Sequence, residues 1–168
     1  RGDANGPAGV RRLGYAVRPM VTATILLEFR SEFVAPPARV FTALTEAAQL
    51  SHWLCDAADS DAAIGGRVTL RWSGPGASLQ PFEGRWVVFR RPLSCAFDGG
   101  HSGYPDGNAG RVGFELAEGG PGTVLITRHR LPQRLDYEPI AEVYRGAWPR
   151  ALARLAALLD SPAVEDSR

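Results

Sequence analysis

His129 is the side chain in this sequence best suited to acid–base chemistry. It lies in the apolar, β-branched run Thr123 to Arg130, in phase with Leu125 and Thr127. Side chains two apart on a strand share a face, so His129 faces whatever those two face. An imidazole there can exchange a proton with a substrate or hydrogen-bond a ligand. Glu83, Arg71 and Asp98 are the groups weighed as its partners. One titratable side chain without a visible partner is thin ground for a reaction, so no catalytic residue is assigned.

The aromatic residues point elsewhere. Trp53, Trp72, Trp86 and Trp148, with Phe97, Phe114 and Tyr144, fall at strand or helix positions that can face one common interior. Any one of them alone reads as core. As a set, large rings on a concave face favour a chamber for an apolar or aromatic molecule. The expected ligand-binding residues are therefore Trp53, Trp72, Trp86, Phe97, Phe114, His129, Tyr144 and Trp148. Tyr144, His129 or Arg71 would fix the ligand's orientation.

Other chemistries lack their residues. His52, Cys55 and Asp56 have ligand-like separations, but no second pair completes a metal site, and no metal or cofactor is expected. The glycine pairs have no phosphate-loop spacing, and no Gly-x-Ser-x-Gly elbow occurs. All 19 basic residues are arginine, which excludes lysine Schiff-base chemistry. The formal net charge is +1, with no run of like charge to suggest a nucleic acid or an anionic membrane. No apolar stretch approaches the roughly 20 residues of a membrane span. Two cysteines, Cys55 and Cys95, are too few for a disulfide scaffold. They read as reduced thiols in a cytoplasmic protein, with one bridge left open. The arginine, alanine, glycine and proline usage fits a GC-rich bacterial genome.

The elements that must position these residues follow from periodicity. Thr22 to Val34 alternates as a strand, and Ala35-Pro36-Pro37 stops it with Pro37 placed for a first helical turn. Val40, Phe41 and Leu44 have helical spacing. Thr45 reads as the N-cap of a second short helix carrying Leu50, Trp53 and Leu54. Asp56 to Ala63 reads as a polar loop. Strands follow at Arg67 to Ser73, Phe82 to Arg90, Leu93 to Asp98, Arg111 to Ala117 and Thr123 to Arg130, divided by Gly/Pro-rich turns. Tyr137, Ile140, Tyr144, Trp148, Leu152, Leu155 and Leu159 make the stripe of a closing helix of about six turns, with Pro149 expected to kink or break it.

This order predicts an α+β helix-grip fold. A curved antiparallel sheet of about six strands wraps a long C-terminal helix, with two short helices after the first strand. One domain is expected over residues 20–160. Residues 1–19 are expected to be a disordered tail or an extension before a natural start at Met20, and 161–168 a C-terminal tail.

Phe33 to Glu46, Leu50 and Trp53-Leu54 resemble the opening of the SRPBCC (START/birch-pollen-allergen-like) superfamily. More narrowly they resemble its branch named after the activator of heat shock protein 90 ATPase. Gly65-Gly66-Arg67-Val68 with Trp72 is similar to that branch's glycine pair and following strand. Gly84, Pro92-Leu93 and Phe97 are similar to its next hairpin. Gly122-Thr123, Leu125, Thr127 and His129 are similar to its last strand. Gly146, Trp148, Leu152, Leu155 and Leu159 are similar to its closing helix, with Ala147 as one extra residue after Gly146. The resemblance spans roughly Ile25 to Leu159. It implies a module that holds a ligand or a partner, and through the heat-shock branch a stress response. It does not imply one reaction. Three functions follow as expectations. The first is binding of a small hydrophobic or aromatic ligand between sheet and helix. The second is a polyketide cyclase- or aromatase-like enzyme using His129. The third is a co-chaperone-like ATPase-activator module acting on a protein partner or as a homodimer.

Overall fold

The computed structural model describes residues 23–74 and 80–161. The tail expected at 1–19 lies outside them, as does the C-terminal tail beyond Ser161. So does most of the Gly/Pro loop between Ser73 and Pro81.

The chain runs β1 (Thr24–Phe33), α1 (Pro37–Thr45), α2 (Ala47–Trp53), β2 (Ala57–Ser60), β3 (Arg67–Arg71), β4 (Phe82–Arg90), β5 (Ser94–Gly100), β6 (Arg111–Gly119), β7 (Gly122–Pro132) and α3 (Glu138–Asp160). The strands form one antiparallel sheet in the order β1-β7-β6-β5-β4-β3-β2. The fold is α+β, with seven strands, and the long C-terminal helix packs on the sheet as expected. Chain neighbours are sheet neighbours except at one place. There β1 pairs with β7 over ten residues, from Thr24↔Pro132 to Phe33↔Thr123. That pairing joins the first and last strands and leaves α1 and α2 to span from one sheet edge to the other.

The seventh strand is β2, inside the segment expected to be a polar loop. Its sequence, Ala-Ala-Asp-Ser, has no β-branched or aromatic residue. It is an edge strand held by backbone pairing to β3, by the exposed Arg71–Asp59 ion pair and by Ser60. Ser60 donates its hydroxyl to Thr45 O (2.6 Å) and accepts the indole N–H of Trp86 (3.1 Å).

Local reasons account for the other boundaries. Pro37 opens α1, where its missing N–H costs nothing. Thr45 does not cap α2; Glu46 holds that position without a side-chain bond, and the Thr45 hydroxyl donates back to Phe41 O at 2.9 Å. Gly65 turns with φ 76°, and a Cβ on Gly66 would lie 2.0 Å from Asp61 O, so this glycine pair is required by the backbone. In β4 a bulge between Trp86 and Val88 re-phases the strand. Trp86 and Phe89 can then both face inward although they are three positions apart. Finally, α3 runs through Pro149 without a break.

Inward side chains form two apolar clusters. The larger joins α1, α2, the middle strands and the C-terminal half of α3, with Phe41, Leu50, Trp86, Phe114, Leu125, Trp148 and Leu155 among its members. The smaller is Leu27, Leu131, Tyr137 and Ala141 at the other end of β1, β7 and α3.

Candidate functional site

The boundary between these clusters is polar. The inner face of β7 reads Leu125, Thr127, His129, Leu131: Leu125 belongs to the large cluster, Leu131 to the small one, and all four are buried. Opposite, α3 presents Ala141 to the small cluster, beside Tyr137 just before its first turn, and Trp148, Leu152 and Leu155 to the large one. Tyr144 packs against both. A seam of polar groups thus crosses the core between strand and helix.

His129 is its centre and is 1% exposed. The Trp148 indole N–H points at its Nδ1 at 3.2 Å, and its Nε2 lies 2.7 Å from Ala109 O. An indole nitrogen only donates and a carbonyl oxygen only accepts. The network therefore assigns the neutral tautomer, protonated at Nε2, which donates to Ala109 O. Burial depresses the imidazole from 6.5 to about 4, against a smaller opposing effect of the Ala109 bond. Neither nitrogen has a lone pair or proton left for a substrate. Glu83, Arg71 and Asp98 are not among its partners: Arg71 pairs with Asp59, and Asp98 with Arg111.

The seam continues outward through phenols. The Tyr144 ring meets His129 edge-on with centroids 4.3 Å apart. The Tyr144 and Tyr104 hydroxyls hydrogen-bond each other, and the Tyr104 ring lies 4.4 Å from that of His101. Burial pushes both phenols above their ordinary range. Tyr104 belongs to the loop between β5 and β6, which Tyr137 anchors by its hydroxyl lying 2.6 Å from both Pro105 O and Asn108 O.

One group in the seam lacks a partner. Thr127 is fully buried, and its Oγ1 makes no hydrogen bond among the described residues. Its cross-strand neighbours are Phe29 and Phe114, neither of which can satisfy a hydroxyl. Native proteins pair nearly all such groups, since leaving one unpaired costs about 1–3 kcal/mol.

The residues expected from sequence divide as follows. Trp86, Phe97, Phe114 and Trp148 are buried and in successive ring contact, at centroid distances of 5.4 Å, 6.5 Å and 6.1 Å. Trp53 joins at Phe114 (6.3 Å) and donates its indole N–H to Ala43 O at 2.8 Å. His129 and Tyr144 complete the line. Trp72 is displaced from it. Strand β3 ends at Arg71, and Trp72 is 40% exposed, donating to Leu54 O at 2.8 Å, so it covers the end of α2. The large rings pack against one another between sheet and α3, mostly edge to face. Depressions of about 550 and 300 Å³ lie on the outer face of the sheet.

Sequence reasoning did not single out Thr127, Tyr104 or Tyr137. Among the described residues, no group of three or more His, Cys, Asp or Glu is placed to hold a metal ion. None of their helices is long and apolar enough to cross a membrane. Cys55 and Cys95 are both free and buried.

A family model covers the chain from the end of β1 to the end of α3. The model, described as activator of Hsp90 ATPase homolog 1-like protein, matches residues 34–160. The chain belongs to this family. Solved structures share its fold at low identity. A protein from Mesorhizobium loti is 20% identical, with a TM-score of 0.70 over 81% of this chain and 97% of that one. One from Rhodobacter sphaeroides is 23% identical, with a TM-score of 0.68 over 80% and 91%. The Aha1 dimer from Colwellia psychrerythraea, solved in solution, is 15% identical, with a TM-score of 0.67 over 81% and 96%. No curated protein matches the sequence significantly. At these identities the likeness establishes the fold and not a ligand.

Proposed function

We propose that this family member is a non-catalytic binding domain that takes a small, neutral, largely aromatic molecule between the sheet and α3. The observation that carries this reading is the buried, unpartnered hydroxyl of Thr127, set among aromatic rings in the polar seam. A hydroxyl or carbonyl on the ligand would satisfy it, and apolar burial would drive binding. The seam's own side chains are uncharged: His129 is neutral at pH 7, and both phenols stay protonated. A buried carboxylate or phosphate would find no counter-charge there. The Tyr104–Tyr144 contact closes the seam between the β5–β6 loop and α3, and its separation would admit the ligand.

The reading is tested with 2-naphthol as probe and tryptophan fluorescence as readout, alongside native mass spectrometry of gently purified protein. Saturable quenching by 2-naphthol, with 2-naphthoate binding at least about tenfold more weakly, is the expected result. Equal binding of the charged probe, or no saturation by either, overturns it.

A protein-interaction role is the second reading. Leu135 is 93% and Val143 66% exposed near the start of α3, and a relative of the same fold is described as a dimer. Light scattering on the purified chain separates the two: a stable dimer supports this reading, and a monomer that still binds 2-naphthol supports the first. Two unpaired thiols suit a reducing compartment such as the cytoplasm for either role.

A further inference from the structure

The outer face of the sheet carries a second feature, remote from the seam. The depression of about 300 Å³ lies across β4 to β7. Cross-strand register puts Val88, Ala96, Gly113 and Arg128 in one row. The middle of that row has almost no side chain, so Ala96 and Gly113 form a floor.

Gly113 is not required by the backbone. Its φ is not in the left-handed region, and a Cβ there would make only ordinary contacts, 3.7 Å to Ala96 Cβ and 4.0 Å to Arg128 O. A mid-strand glycine costs stability relative to alanine and commonly marks close approach of another group. What the glycine preserves here is open floor.

Four guanidinium-bearing side chains line the walls: Arg90, Arg111, Arg128 and Arg130, against one acid, Glu115. Arg111 is held by Asp98, and Arg128 by Glu28 and Glu115. Arg90 and Arg130 are exposed and have no side-chain hydrogen bond or ion pair among the described residues. Arg130 is also directly opposite Arg111 in the ladder. Like charges in facing positions destabilise a sheet unless an anion lies between them. The neighbouring depression of about 550 Å³ is lined by two arginines, Arg67 and Arg85, and two acids, Glu83 and Asp98.

We propose that this outer groove binds a small organic phosphate. Unpaired Arg130 would lead the phosphoryl contacts, Arg111 and Arg128 sharing them with the carboxylates they already hold, and the bare Ala96–Gly113 floor would take the organic body. Arginines from two strands, approaching from different directions, suit a tetrahedral group with several acceptor oxygens. A planar carboxylate presents only one fork. A groove of this size is at the small end of ligand sites, which limits the organic part to about one ring.

The test is an amide NMR titration of the full chain with phenyl phosphate at pH 7.5, with phenol and inorganic phosphate as comparisons. Expected are saturable shifts at the Gly113 and Ala96 amides, with phenyl phosphate about tenfold tighter than inorganic phosphate and no effect of phenol at these amides. Arg130→Gln should weaken binding about tenfold. It removes one of two facing like charges, so it does not unfold the sheet. Gly113→Val should abolish the shift at the Ala96 amide without lowering the melting temperature, because its Cβ has room. Absence of saturation at Gly113, or unchanged affinity in Arg130→Gln, overturns the site. Equal affinity for phenyl and inorganic phosphate overturns the organic part of the assignment.

Discussion

Trp148 on α3 donates its indole N–H to Nδ1 of His129 on β7 across 3.2 Å. This bond crosses the core where its two apolar clusters meet, and it commits the imidazole to the neutral state. Together with the bond to Ala109 O it turns the one residue that could have supported acid–base chemistry into a clamp between sheet, helix and loop. The cyclase-like expectation rested on that residue, and this geometry gives it no support.

The clamp has a pH signature. Above pH 6.5 both folded and unfolded chains hold a neutral imidazole, and folding takes up no proton. Below 6.5 the unfolded chain binds a proton that the native state refuses until about pH 4. Stability is therefore full above 6.5 and falls through that window, by about 3 kcal/mol in all. His129→Gln keeps a donor and an acceptor but does not titrate. Urea unfolding from pH 7 to 4 should show wild type losing its advantage over this variant by about that amount. Parallel curves for the two proteins would refute the assignment.

Thr127→Val should act in opposite directions on stability and binding. The substitution is nearly isosteric and removes a buried hydroxyl that nothing satisfies. The free protein should gain about 1–2 kcal/mol in chemical denaturation. The affinity for 2-naphthol should fall about tenfold, because the ligand loses its polar contact. A loss of stability in the variant would mean that the hydroxyl is satisfied after all.

Much of this architecture was legible because it rests on periodicity. The strands from Arg67 to Arg130 and the α3 stripe bury one face each, and burial imposes a period of two or of 3.6. Strand β2 escaped because edge pairing is a backbone affair, to which Ala57, Ala58, Asp59 and Ser60 contribute no side-chain signal. Trp72 was placed inside by extending the alternation one residue past the end of β3. The rings at Trp86, Phe97, Phe114 and Trp148 were foreseen as inward. That they touch one another depends on distances no pattern encodes. The same holds for Thr127: a sequence shows a hydroxyl in phase with the core, but only the folded chain shows that its neighbours are Phe29 and Phe114.

The two thiols should be silent in the native protein. Burial raises Cys55 from 9.0 to about 11 and Cys95 to about 12. The thiolate is the reactive form, so at pH 8 its population is about a thousandth or less. An aromatic disulfide reagent should react fast with no thiol in the folded chain and with two in 8 M urea. The same shifts predict a loss of stability above pH 9, where the unfolded thiols ionise and the buried ones do not. Rapid native labelling of either cysteine would contradict the burial.

Pro149 is exposed in the middle of α3, one residue after Trp148. It has no N–H for the carbonyl of Arg145, and its ring crowds that carbonyl, a combination that costs an interior helix about 3 kcal/mol. The helix persists because Trp148, Ala151, Leu152 and Leu155 bury its inner face on both sides of the defect. Pro149→Ala restores the bond but returns about 0.4–1 kcal/mol of backbone entropy to the unfolded chain. The expected net gain is about 2 kcal/mol, which for a chain of this size raises Tm by about 4–8 °C. Trp148 should keep its bond to His129, so tryptophan emission should not shift. A fall in Tm would show that proline at this position is itself required for α3 to seat on the sheet.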